Sequence, residues 1–152
     1  MTLKNNDNDQ LIETMTLLML VNTQSRRFGV LSIDLIIDQV KEPLLKKGLQ
    51  MFVNGRDDRN IRDTLSVEIG SSDNYQNLVV EGVCMLASWA NNFCISLMQE
   101  KFNIYLSTKD QIKLEIMTKE VLDNWKDHSE TIEGGNQVII EHLKRHEKWI
   151  NY

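Results

Sequence analysis

A chain of 152 residues with one proline and seven glycines has too little turn chemistry for an all-β protein, which must reverse direction every few residues. Two cysteines exclude a disulfide framework. Cys84 and Cys94 are ten positions apart in one apolar stretch, and on a helix that spacing separates them by nearly three turns, beyond the reach of a disulfide. They read as buried thiols in a reducing compartment. With 17 Lys and Arg against 22 Asp and Glu, a net charge of −5, the chain lacks the excess of positive charge that phosphate-backbone binding needs, so no nucleic-acid partner is expected. An uninterrupted apolar span is also missing. The best stretch, residues 78–98, carries Glu81, Asn91 and Asn92 in its middle, groups that hydrocarbon cannot satisfy, so no membrane span is expected. The first ten residues, MTLKNNDNDQ, are polar and acidic, which excludes signal and transit peptides. They are expected to form a disordered lead-in to one domain over 11–152, with a cytoplasmic location.

The remainder is rich in helix formers and carries helical periodicity. Leu11, Ile12, Met15, Leu18 and Met19 mark a first helix ending near Gln24, and the run from Val30 to Val40 is read as a second. Pro43 fits a first-turn position, followed by Leu44, Leu45, Leu49, Phe52 and Val53 on one face. Gly55 closes that helix, and Asp57 or Asp58 can cap the next, whose inner row is Ile61, Leu65 and Ile69. Residues 42–69 are thus a helical hairpin. Gly70, Ser71 and Ser72 break the pattern, with a serine available as N-cap. From about 72 to 106 apolar residues cover more than half the circumference, which predicts one long central helix. An amphipathic helix over about 108–132 follows, with Ile112, Ile116, Val121, Leu122 and Trp125 as its apolar row, and after Gly134 and Gly135 a last helix over about 136–150. The expected fold is an all-α single-domain bundle of six or seven helices around the long one.

Phosphate-binding loops, dinucleotide fingerprints, nucleophile elbows, C-x-x-C and H-E-x-x-H are all absent from the sequence, so no enzyme and no cofactor is expected. Three constellations remain. His142 and His146 stand at i and i+4, a spacing that lets two imidazoles share a metal ion. A third ligand would have to come from Glu141, Asp127 or His128, and His146 also lies on the apolar row Ile139, Leu143, His146, Ile150, where a hydrogen-bonded core histidine is the ordinary explanation. Glu81, the one charge in the long apolar segment, is either a carboxylate perturbed by burial or the partner of a neighbouring Lys or Arg. Arg56, Arg59 and Arg62, three apart and flanked by Asp57, Asp58 and Asp63, share roughly one helix face. They are either a solvated surface with local ion pairs or, with Lys46 and Lys47, a recognition surface for an acidic partner.

The stretch SRRFGVLSIDLIIDQVKEPLLKKGLQMFVNGRDDRNIRDTLSVEI, residues 25–69, resembles the cytoplasmic segment of flagellar stator proteins of the MotA type, relatives of the TolQ and ExbB proton-channel subunits. The likeness runs from an Arg-x-Gly entry (Arg27, Gly29) and Asp34, through EPLLKKGLQ (Glu42 to Gln50) and VNGRD (Val53 to Asp57), to IRDTLSVEI (Ile61 to Ile69). LVVEGVCML, Leu78 to Leu86, is more faintly similar to a later cytoplasmic helix of the same family. The resemblance implies a helical cytoplasmic module that meets a partner through charges, as the stator meets the rotor. The positions that transfer are structural: Gly29, Pro43, Gly48, Gly55 and the apolar row. The family's four membrane helices have no counterpart in these residues, so ion conduction does not transfer. The resulting expectation is a non-enzymatic interaction module for a protein partner, with flagellar motor components as candidates and self-association as a further expectation. The alternatives are a small helical metal- or ligand-binding protein using His142, His146 and Glu81, and a plain oligomer whose subunits meet at Trp89, Phe93 and Phe102.

Overall fold

The computed structural model describes the backbone of residues 2–70, 73–88 and 95–147, with side chains from Asn8 onward. Those residues form an all-α helical bundle of eight α-helices and two short 3-10 turns: α1 (Thr2–Phe28), a turn (Val30–Ile33), α2 (Asp34–Ile37), α3 (Pro43–Val53), α4 (Asp58–Ile69), α5 (Asn74–Ala87), α6 (Ile95–Phe102), a second turn (Asn103–Tyr105), α7 (Thr108–His128) and α8 (Ile132–His146). No strand occurs among them.

The helix at the centre is α1. It packs against α5, α6, α7, α8 and the first 3-10 turn, and every residue from Leu11 to Asn22 is buried. Its sequence hides this role, because it carries polar residues in its buried stretch, and several of its threonines place their hydroxyl hydrogens within the helix itself. The hydroxyls of Thr14, Thr16 and Thr23 donate to carbonyls one turn back (Gln10, Ile12 and Met19), which lets threonine enter a core without an orphaned donor. The helix begins at Thr2, so the expected disordered lead-in is helical, and Asp9 ties it to α7 by an ion pair with Lys113 at 2.7 Å.

The single helix expected over 72–106 is not continuous. Asp73, not a serine, caps α5 in a capping box with Gln76, and α5 stops at Ala87. Ser88 leaves helical geometry at φ −87°, ψ 75°, and its N–H bonds to Met85 three residues back. Trp89, Asn91, Asn92, Phe93 and Cys94 lie outside the described residues.

Two further expectations are corrected. On α7 the buried residues are Leu114, Thr118 and Trp125; of the expected row, Trp125 is buried and Val121 and Leu122 pack against the core, while Ile112 and Ile116 are exposed. α7 also ends at His128, and Gly134 and Gly135 do not separate two helices. They sit inside the first turn of α8, which Thr131 caps through the N–H of Gly134. Gly135 is small because a Cβ there would come within 2.1 Å of Gln24 Oε1 on α1.

That Gln24 is the hub joining three helices. Its Oε1 accepts from the indole of Trp125 at 2.7 Å, and its Nε2 donates to Asn136 Oδ1 and to the carbonyl of Ile132. Asn136 passes the network on by donating to the carbonyl of Ser32. A second approach of this kind joins α1 and α5, where a Cβ on Gly82 would lie 2.3 Å from Leu18 Cδ1.

Candidate protein-interaction site

The 42–69 hairpin forms as its sequence dictates. Glu42 caps α3, accepting from the N–H groups of Leu44 and Leu45, with Pro43 at the first helical position. At the other end Gly55, at φ 82°, takes the left-handed conformation that a side chain resists. Its N–H bonds to Phe52 O and that of Arg56 to Met51 O, the paired bonds of a Schellman motif. Asp57 then caps α4 through the N–H of Asn60 at 2.8 Å. The hairpin is seated on α5: Ile61 and Leu65 are fully buried, and Gly48 is so close to Val83 that a Cβ would lie 2.9 Å from its Cγ2.

The five cations expected to form one recognition surface are divided by this geometry. Arg56 lies in the loop before α4, and its Nη1 donates to Asn60 Oδ1 at 2.7 Å. Arg59 is exposed on the first turn of α4, its backbone N–H bonded to Asp58, and its guanidinium has no partner among the described residues. Arg62 is one turn further on and turns toward α5, where it donates to the Glu81 carboxylate. That hydrogen bond holds the guanidinium above its ordinary pKa. Lys47 pairs with Glu68 at 2.8 Å, and Lys46 is half-buried. All three arginines are exposed, but only Arg62 is engaged by a carboxylate, which leaves Arg56 and Arg59 at the hairpin tip without an ion-pair partner among the described residues.

Glu81 is thus the ion-pair partner of an arginine, not an isolated buried acid. It borders a cleft of about 160 Å³ lined by Met85, Lys101, Phe102, Ile104 and Tyr105. Next to it Cys84 directs its thiol to the carbonyl of Asp58 at 3.5 Å, and burial pushes that thiol up to about 11, which keeps it protonated at neutral pH. Phe102 is fully buried in the core and is unavailable for a contact between subunits; Trp89 and Phe93 lie outside the described residues.

His142 and His146 are both buried and both face α1. His142 Nε2 is 2.9 Å from the carbonyl of Glu13 and 3.0 Å from Thr16 Oγ1. A carbonyl only accepts, so Nε2 carries the proton. His146 Nε2 is 2.9 Å from Thr14 Oγ1, whose own hydrogen is directed at Gln10 O, so this nitrogen also donates. Neither Nε2 has a lone pair to offer a metal, and no group of three or more His, Cys, Asp or Glu suited to a metal occurs among the described residues. His128 is exposed, bonded through Nδ1 to Asn124 O. Burial lowers the pKa of His142 and brings that of His146 down to about 4, so both rings are neutral, as donors to threonine and carbonyl should be.

Beside this pair Tyr75 of α5 stacks on His146, ring centroids 6.4 Å apart, and donates its hydroxyl to Glu42. One carboxylate thus caps α3 and fastens it to α5. Nothing in the spacing of Tyr75 and Glu42 along the sequence announces that contact, nor the pairing of threonines on α1 with histidines on α8.

No helix among the described residues is long and apolar enough to cross a membrane. No family model, no curated protein and no solved structure matches the chain.

Proposed function

We propose that this chain is a non-enzymatic protein-interaction domain, similar to the cytoplasmic part of a MotA-type stator protein, that docks on an acidic partner surface with the tip of the α3–α4 hairpin. One observation carries the reading. The hairpin is fixed on its inner side by two caps, a Schellman motif and a close seat on α5, while Arg56 and Arg59 project into solvent from its tip. A rigid element presenting guanidinium groups suits bidentate recognition of carboxylates. Lys47 is paired with Glu68 at the far end of α4, and Arg62, engaged by Glu81, orients that helix.

Contacts of this type govern orientation and association rate more than affinity, and they weaken as salt screens them. The reading carries with it a single domain, a cytoplasmic address and flagellar motor components as the first partners to test. Partners captured by cross-linking in the source cells should bind the purified protein in a salt-sensitive way and lose binding to the Arg56→Glu/Arg59→Glu variant. Equal binding by that variant at low salt overturns the proposal.

A further inference from the structure

Two surface stripes on opposite elements carry matching patterns. Leu31, Asp34, Leu35 and Asp38 stand at i, i+3, i+4 and i+7 along the first 3-10 turn and α2. The backbone stays right-handed helical through Ile33, Asp34 and Asp38, so the four share one face. All are exposed, Leu31 at 76% and Leu35 at 70%, while Ile33, Ile36, Ile37 and Val40 bury the other face. On α7 the same spacing recurs as Lys109, Ile112, Lys113 and Ile116, with the two isoleucines 56% and 55% exposed. Each stripe therefore holds two large apolar side chains in water, a feature that marks contact surfaces when it recurs at helical spacing.

The order of residues fixes how the stripes can meet. Laid antiparallel, Lys109 faces Asp38, Ile112 faces Leu35, Lys113 faces Asp34 and Ile116 faces Leu31. Laid parallel, each lysine meets a leucine and each isoleucine an aspartate. Within one chain the stripes stay apart, because α2 packs on α3, α8 and the preceding turn, whereas α7 packs on α1 and α8. Clefts adjoin both: about 440 Å³ beside Asp34, Leu35 and Asp38, and about 680 Å³ beside Lys109, Ile112 and Ile116. Asp34 and Asp38 make no side-chain hydrogen bond or ion pair among the described residues. Lys113 is paired with Asp9, an exposed contact of the weak kind that can exchange for another carboxylate.

We propose that the α2 stripe of one copy of this chain docks antiparallel on the α7 stripe of a second copy. The two patches differ, so the contact is heterologous. It leaves a free stripe at each end and builds rings or open chains in place of two-fold dimers. This assembly is independent of the hairpin reading, whose arginines lie on neither stripe.

The test is charge reversal with complementation, read by analytical ultracentrifugation across a protein concentration series, with circular dichroism to confirm folding. The wild type should associate with rising concentration, and less so at high salt. Asp34→Lys/Asp38→Lys should lose that association by on the order of tenfold or more, as like charges then oppose each other, and so should Lys109→Glu/Lys113→Glu. An equimolar mixture of the two variants should associate again, because every contact between unlike copies is then charge-matched. A wild type that stays monomeric into the range of about 100 µM, oligomers indifferent to both reversals, or a mixture that fails to reassociate would each overturn the proposal.

Discussion

The guanidinium of Arg62 donates to the carboxylate of Glu81, so the third arginine of the hairpin holds α4 against α5 and is not offered to a partner. The two side chains are 48% and 42% exposed, and pairs this open contribute at most about 1 kcal/mol. Arg62→Gln should therefore lower thermal stability only slightly and leave partner binding within about twofold of wild type. Arg59→Glu should do the reverse, keeping the melting temperature and losing the partner. Paired melting and binding curves for the two variants separate positioning from contact.

Gln24 makes a different prediction, because its amide is fully buried and joins Trp125, Asn136 and Ile132. Gln24→Leu keeps the volume but orphans the Trp125 indole and part of the Asn136 amide. The expected loss is about 2–4 kcal/mol, read from denaturant midpoints. A loss under about 0.5 kcal/mol would show that this hub is unimportant for stability.

Acid should destabilise the protein through His142 and His146. Both are neutral donors in the fold, with pKa values lowered by burial from the ordinary 6.5, that of His146 to about 4. In the unfolded chain they take up protons at higher pH, so between about 6.5 and 4 the unfolded state binds more protons and stability falls as pH falls. The contribution is fully present above 6.5. His146→Phe should flatten this part of the stability profile against pH, whatever it does to stability at pH 8. A wild-type profile that is level from pH 7 to 5 would contradict the arrangement.

Gly55 gives the hairpin its reversal at φ 82°. Although a Cβ there would meet no neighbouring atom within 4 Å, Gly55→Ala should cost about 1 kcal/mol from backbone conformation alone. Gly82→Ala should cost about 1–3 kcal/mol for the opposite reason, an ordinary helical backbone with Leu18 in the way. Adding Leu18→Ala to Gly82→Ala should recover part of the loss, a coupling that a double-mutant cycle measures.

The hairpin was legible in the sequence because its signals are local. Pro43 at a helix start, Gly55 at a reversal, Asp57 as a cap and the row Ile61, Leu65 act within a few residues of themselves. The centrality of α1 was not legible, since Thr14, Thr16 and Gln24 count as polar until their partners on α7 and α8 are known. In the first half of α7 composition misleads for a related reason, since Thr118 faces the core while Ile112 and Ile116 face water. Gly134 and Gly135 signal a break by composition, yet at Gly135 the requirement is space against Gln24. Of the candidate site, the arginines at the tip and a basic partner for Glu81 were identifiable, but that this partner is Arg62, 19 residues away, was not.

The most direct test of hairpin docking is a photo-cross-linking amino acid placed at position 63, one turn from Arg59 on α4, and, as a control, at position 126 on α7, both exposed. Irradiation in the source cells, followed by identification of adducts, should give a partner with an acidic surface from position 63, weakly or not at all from position 126, and should lose it when Arg56→Glu is added. Adducts that are the same from both positions, or that persist unchanged with Arg56→Glu, would contradict docking through the hairpin tip.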